Sequence, residues 1–274
     1  MRKTFGLLLA IALSAAPLLA KAQPAPPEGW TLGLGAALIS GKAYDGSDAR
    51  QTNLFPNVSI GYQNKFFLSV RGAEYTFRPV EGLSIKPRIS YSRGRSDDGE
   101  GSLFMIAGED TDHIQGLGDT DPGFVLGGSV EYAILFLQLE GSFSEYLAAD
   151  GGREASVGAK LRGRVMSLGP PIFWNFGPSV TFFDETRAQT LYSVTPAQSA
   201  RSGLPVFEAE GGVFETAMSG ALVLPTSQRS RLITTITRSE ISDDFADSPV
   251  VTDRLSTSFN LIWAISFDFA DLRL

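Results

Sequence analysis

The stretch "DRLSTSFNLIWAISFDF", residues 253–269, repeats with a period of two. Leu255, Phe259, Leu261, Trp263, Ile265, Phe267 and Phe269 occupy odd positions, with Thr257 the one polar member, while Ser256, Ser258, Asn260, Ser266 and Asp268 occupy even ones. Such alternation dictates a β-strand with one apolar and one polar face. Whether the apolar face meets a protein core or lipid decides the fold.

The N-terminus narrows the choice. "MRKTFGLLLAIALSAAPLLAKAQP" places Arg2 and Lys3 before an apolar run from Phe5 to Ala20, followed by Ala20-Lys21-Ala22. This is the pattern of a secretory signal peptide, residues 1–22, cut after Ala22. The run is about 16 residues long, short of the roughly 20 a membrane-spanning helix needs, and Ser14 and Pro17 interrupt it. Cleavage removes three cations and takes the formal charge from −7 to −10, a poor balance for binding nucleic acid. The sequence has no Cys, so disulfides and thiolate chemistry are excluded and the exported chain must be held by packing or by lipid.

Alternation recurs along residues 23–274, which read as one domain. Trp30, Leu32, Leu34, Ala36 and Leu38 form one apolar face, and Leu83, Ile85, Ile89 and Tyr91 another. Ten strands are expected, near 30–40, 64–78, 83–93, 122–132, 135–146, 154–166, 171–183, 211–224, 229–240 and 254–269. At about 10 to 13 residues they exceed the usual five or six of soluble sheets and match tilted membrane-crossing strands. Short connections near 79–82, 133–134, 167–171 and 225–228 alternate with long ones near 41–55, 94–121, 147–153, 184–210 and 241–253. That is the layout of an all-β, antiparallel, up-and-down outer-membrane barrel, with long external loops and short periplasmic turns. An even strand number puts both termini in the periplasm. "FPNVSIGYQNK", 55–65, also alternates, and as an extra hairpin it would raise the count to twelve. Pro87 and Pro178 lie inside expected strands and imply a bulge or bend. A soluble β-sandwich shares the local alternation, but not the strand length, the one-sided loops or the aromatic C-terminal face.

Residues suited to catalysis are few. His113, the only histidine, sits in the acidic loop "GEDTDHIQGLGDTD" with Ser102 nearby, but no nucleophile motif accompanies it, and a non-enzyme is expected. Asp97, Asp98, Glu100, Glu109, Asp110, Asp112, Asp119 and Asp121 lack the ordered spacing of a calcium loop and read as a solvated surface, with weak sharing of divalent cations with anionic lipid the other reading. No metal or other cofactor is implied. Lys86, Arg88, Glu131, Glu140, Lys160, Arg162 and Arg164 occupy inward positions, where they could line a pore or, as expected for so narrow a barrel, pair within a packed lumen.

The loops carry a family resemblance. Tyr192-x-Val194, Ser199 and Ser202-Gly203-Leu204 within "LYSVTPAQSARSGLPVFEAEGG", and Asp247-Ser248-Pro249 within "SDDFADSPVV", resemble the MipA/OmpV family, the MltA-interacting proteins of the Gram-negative outer membrane. "YDGSD" at 44–48 and "GLGDTD" at 116–121 fit the same pattern, although the chain runs past Phe269 as "ADLRL" where a terminal aromatic is usual. The resemblance implies a non-enzymatic scaffold in contact with outer-membrane lipid and lipopolysaccharide, tethering a lytic transglycosylase and a murein synthase in peptidoglycan metabolism. On the periplasmic side only "QPAPPEG", 23–29, and the tail extend beyond short turns. The charged lumen motivates a second reading, a narrow channel for small solutes; the long loops motivate a third, a surface adhesin or antigen. For the motif residues themselves the plainer reading is structural, Ser202, Gly203 and Pro205 folding a long loop back over the barrel mouth and Asp247-Ser248-Pro249 making a turn.

Overall fold

The computed structural model describes residues 29–98, 103–109, 111–166 and 170–269. The expected signal peptide, nearly all of the Pro-rich leader, Glu100, Ser102, Asp110 and the tail after Phe269 lie outside the described residues. The chain forms a closed antiparallel barrel. Its wall is built from β1 (Trp30–Lys42), β2 (Arg50–Tyr62), β3 (Phe66–Ser69), β4 (Gly72–Tyr75) and β5 (Leu83–Ser92). After β6 (Met105–Gly108) it continues with β7 (Gly123–Ile134), β8 (Leu137–Tyr146), β9 (Gly152–Val165), β10 (Ile172–Phe183), β11 (Gly212–Pro225), β12 (Ser230–Ile241) and β13 (Leu255–Asp268). Each strand pairs with its sequence neighbours, except that β5 pairs with β7, and β1 closes the ring by pairing with both β2 and β13. Twelve strands make the wall. The thirteenth, β6, lies against the outer end of β2 at Gln51–Asn53.

The strand count is therefore the larger of the two expected, for a local reason. Gln63 and Asn64 both adopt positive φ, 50° and 52°, and the Lys65 amide donates to the Tyr62 carbonyl at 2.9 Å. This is a tight hairpin in which three residues, 63–65, separate the paired Tyr62 and Phe66, made without the Asn-Gly signature that would have announced it. Residues 50–62 become a full strand, the first outer loop shrinks to 43–49, and 64–78 divides into β3 and β4 at Val70–Arg71. The external loop 94–121 also contains β6.

The prolines act differently from expectation. Opposite Pro178 the β9–β10 ladder skips from Phe176↔Leu161 to Ser179↔Gly158 without a shift of register, and pairing of β4 to β5 stops at Arg88 and resumes as the Phe77–Ile85 bridge. Each missing amide falls at a break in the ladder. The bulge of this region lies instead between Thr181 and Phe182, where Phe214 and Glu215 both turn inward.

The opening alternation is answered by the register. Leu261 pairs with Leu38, and Leu38 with Leu54, while Trp263 pairs with Ala36, so the odd positions of β13 join an outward belt. Leu34, Leu54, Val58, Ile85, Leu126, Val130, Leu139, Val157, Leu161 and Trp263 are all exposed on that surface. Trp30, Tyr62 and Phe66 cluster at the end carrying the short turns, with Trp30–Tyr62 centroids 4.8 Å apart, and Tyr91 meets Phe124 at 5.6 Å near the other. A continuous apolar belt edged by aromatic rings is a surface for hydrocarbon, not water. Leu261→Arg should lower the free energy of unfolding in lipid vesicles by about 2–4 kcal/mol, read by urea titration, whereas Asn260→Ser on the lumenal face should change it by less than about 0.5 kcal/mol.

Candidate functional site

With the sheet facing lipid, the densest buried core lies in the outer loops. Ile114, Leu117, Phe183, Ala188, Tyr192, Val194, Ala209, Phe214, Ile241, Phe245 and Val250 pack together across the outer mouth. Phe183, Phe214 and Ile241 come from the strand ends, and the rest from loops 93–122, 184–211 and 242–254. Phe183 and Phe214 stack at 4.2 Å between centroids, and Phe245 meets Phe214 edge-on at 5.5 Å. The core is a stopper.

Local signals shape its elements. In α1 (Glu185–Tyr192), Asp184 caps the N-terminus by accepting from the Arg187 amide at 2.8 Å. In α2 (Pro196–Ser202), Thr195 and Gln198 form a reciprocal capping box, Pro196 occupies the first turn and Gly203 ends the helix at φ 76°. A bridge between Val194 and Phe207 closes the loop behind α2. The short α3 (Asp243–Ala246) delivers Phe245, which is fully buried.

The motif residues are the hinge pins of this stopper. Tyr192 is 2% exposed; its hydroxyl donates to the Asp45 carbonyl at 3.0 Å, and its own carbonyl accepts from the buried Ser248 hydroxyl at 2.6 Å. Val194 is fully buried. Ser199 lends its carbonyl to the Gly203 amide at 2.9 Å, Ser202 donates to Gln198, and Leu204 packs on the core. Asp247 follows α3 as its C-cap, and the Pro249 carbonyl accepts from His113 Nε2 at 2.8 Å. The first loop is tied in by the amides of Thr252 and Asp253, which both donate to Gly46, and by Tyr44, whose hydroxyl donates to Val250.

His113 thus serves the stopper through a backbone carbonyl. Asp97 and Asp119 act as local ties: Asp97 accepts from the amides of Gly116 and Gly118 at 2.9 and 2.6 Å, and Asp119 from the Ser96 hydroxyl and the Asp97 amide, contacts that hold the Asp119 carboxyl below its ordinary range. No group of three or more His, Asp and Glu that could hold a metal gathers among the described residues. Arg95 reaches into the stopper, donating to the Leu191 carbonyl at 2.8 Å, and burial pulls its pKa down. The Arg187 guanidinium lies 3.7 Å from the centre of the Tyr146 ring, a stacking contact beneath the loops.

Below the stopper the inward charges divide into two sets. Lys86 pairs with Glu131 at 2.5 Å and Lys160 with Glu140 at 2.6 Å, each partly accessible. Arg88, on the same face of β5, is exposed opposite Glu74 of β4, and Arg162 and Arg164 on β9 are exposed too. These three guanidinium-bearing residues are accessible and not packed against the wall. At its periplasmic end a cavity of about 550 Å³ opens between the 76–82 turn and the ends of β5, β7, β8 and β9, lined among others by Arg78, Glu81, Glu131, Gln138 and Arg162.

The family model for the MltA-interacting protein MipA matches residues 34–269. The chain belongs to the MipA family. That match runs from within β1 to the end of β13 and spans every loop of the stopper. No curated protein matches the sequence significantly. Among solved structures the barrel is similar to an outer membrane channel from Pseudomonas putida F1, at 12% identity over 93% of this chain and all of that one, TM-score 0.42. It is also similar to OprD of Pseudomonas aeruginosa, at 10% identity over 88% of this chain and 65% of that one, TM-score 0.35. A third is OmpT of Vibrio cholerae, at 7% identity over 87% of this chain and 96% of that one, TM-score 0.34. These likenesses are loose, and the barrel rests on its pairing register and apolar belt. The protein is an outer-membrane β-barrel.

Sequence reasoning found Tyr192, Val194 and Ser248 through the resemblance but missed Phe183, Phe214, Ile241, Phe245 and Val250. Their signal was available: Phe245 and Val250 are bulky apolar residues inside an otherwise acidic external loop, where water alone would not keep them.

Burial raises the Tyr192 hydroxyl well above the ordinary tyrosine value, because the charged form would lose its solvation. The folded stopper holds this proton longer than an open loop does. Its stability is therefore intact below the unfolded value of about 10 and declines as the pH rises toward the folded value. Proteolysis of loop 184–211 should begin above about pH 10 in the native protein. Tyr192→Phe should weaken protection at neutral pH by about 1–3 kcal/mol, since the Asp45 carbonyl loses its donor, and should show a shallower alkaline decline.

Proposed function

We propose that this MipA-family barrel is a non-enzymatic scaffold of the outer membrane, tethering a lytic transglycosylase of the MltA type and, with it, a murein synthase at the inner surface. The observation that carries the reading is the stopper. A barrel closed on the outside by its own apolar core presents to other molecules chiefly its periplasmic end, which faces the cell wall. The family name points to the same partner class. His113 is engaged with the Pro249 carbonyl within the stopper.

The channel reading has one support, the accessible arginines of the lumen, and the stopper weighs against it. The adhesin reading draws on the same loops, but their bulkiest side chains are spent on one another.

A scaffold should leave a trace in the cell envelope. Crosslinking in intact cells, gentle solubilisation and mass spectrometry of what copurifies with the tagged barrel should enrich a lytic transglycosylase together with a murein synthase. Substitutions in the periplasmic turns at 135–136 and 226–229 should reduce that enrichment several-fold, and opening the stopper should leave it unchanged. Recovery of neither enzyme at stoichiometric crosslinking would overturn the reading.

A further inference from the structure

The periplasmic cavity is treated differently by the chain from the rest of the lumen. At and just above its upper edge the inward lysines are answered by carboxylates, Lys86 by Glu131 and Lys160 by Glu140. In the cavity wall, Arg162 is exposed and, among the described residues, makes no ion pair, while the Arg78 guanidinium donates to the Asn64 carbonyl at 3.4 Å and meets no carboxylate among them. Arg164, two residues nearer the periplasm on the same face of β9, is likewise exposed and unpaired among the described residues. Of the two carboxylates lining the cavity, Glu131 is already held by Lys86, leaving Glu81 against these three guanidinium groups. The result is a local cationic surplus in a protein whose overall charge is −7.

Arginine rather than lysine at the unpaired positions is a chemical choice. A guanidinium stays charged and presents a planar fork of donors that matches a carboxylate or phosphate. The cavity of about 550 Å³ falls in the range of small-molecule sites. Its wall also offers Ser84 and Gln138 for hydrogen bonds, and Val80 and Leu83 for contact with an apolar edge.

We infer that the periplasmic cavity is a binding site for a small oxyanion-bearing solute, carboxylated or phosphorylated and about the size of a sugar phosphate or disaccharide, held by Arg78 and Arg162 with Arg164 at the entrance. This site is independent of the scaffold reading, since it requires only the cavity and its charges.

The test is calorimetric titration of the full-length mature barrel in lipid nanodiscs with citrate, glucose 1-phosphate and, as the neutral control, maltose. Citrate or glucose 1-phosphate should bind at least tenfold more tightly than maltose, and the ratio between the two separates a carboxylate site from a phosphate site. Arg162→Gln and Arg78→Gln should each weaken the better anion about tenfold, while Lys65→Gln, a periplasmic turn cation outside the cavity, should leave it unchanged. All three substitutions fall on exposed side chains, and retained heat-modifiable migration checks that each variant is folded. Binding of both anions no tighter than maltose, or equal weakening by Lys65→Gln, would overturn the proposal. Loss of this binding with the transglycosylase contact intact, or the reverse, would distinguish the two functions.

Discussion

A strand that meets hydrocarbon on one face can satisfy its amides and carbonyls only within the sheet, so the sheet must have no open edge. In this chain the requirement is met by β1, which pairs along its whole length with β2 and along most of it with β13. Everything else follows from that closure. The apolar half of each alternating strand is turned outward, and the inward half is left polar, glycine-rich and wet. Even close packing on the lipid side serves the ring: Trp174 lies over Gly163 of the neighbouring strand, at a point where any side chain would collide with the indole.

Spending its strand hydrophobics on lipid leaves the protein to build an internal core elsewhere, and the outer loops supply it. Long, acidic loops that look solvated are pinned by a few aromatic and branched residues and by hydrogen bonds such as Ser248 to Tyr192 and Tyr192 to Asp45. The bulge at Thr181–Phe182 belongs to the same construction, since it turns Phe214 inward to stack on Phe183. The barrel becomes asymmetric: one end is filled with apolar side chains, and the other opens into a charged cavity. The accessible end is the one with the short turns, and it carries the arginines of that cavity.

The period-two pattern made the barrel legible because it reports directly on two solvents. It could not report the number of strands, because the turn at Gln63-Asn64 depends on two residues accepting positive φ that carry no Gly, and because β3 and β4 are too short to show a period. The loop motifs pointed to the right residues, and their structural role was the plainer of the two readings. Which lumenal charges would pair was not legible: Lys86 finds Glu131 on the adjacent strand, whereas Arg162 stands opposite Asn175, and that difference is set by the exact register between neighbouring strands, which alternation alone does not fix.

The apolar stopper closes the outer mouth. Single-channel recording in a planar bilayer tests it most directly, with the native barrel compared with a Val194→Asp, Phe245→Asp variant whose stopper core carries charge. The native protein should be silent and the variant should show discrete conductance steps. Stable, reproducible steps from the native barrel would contradict this closure.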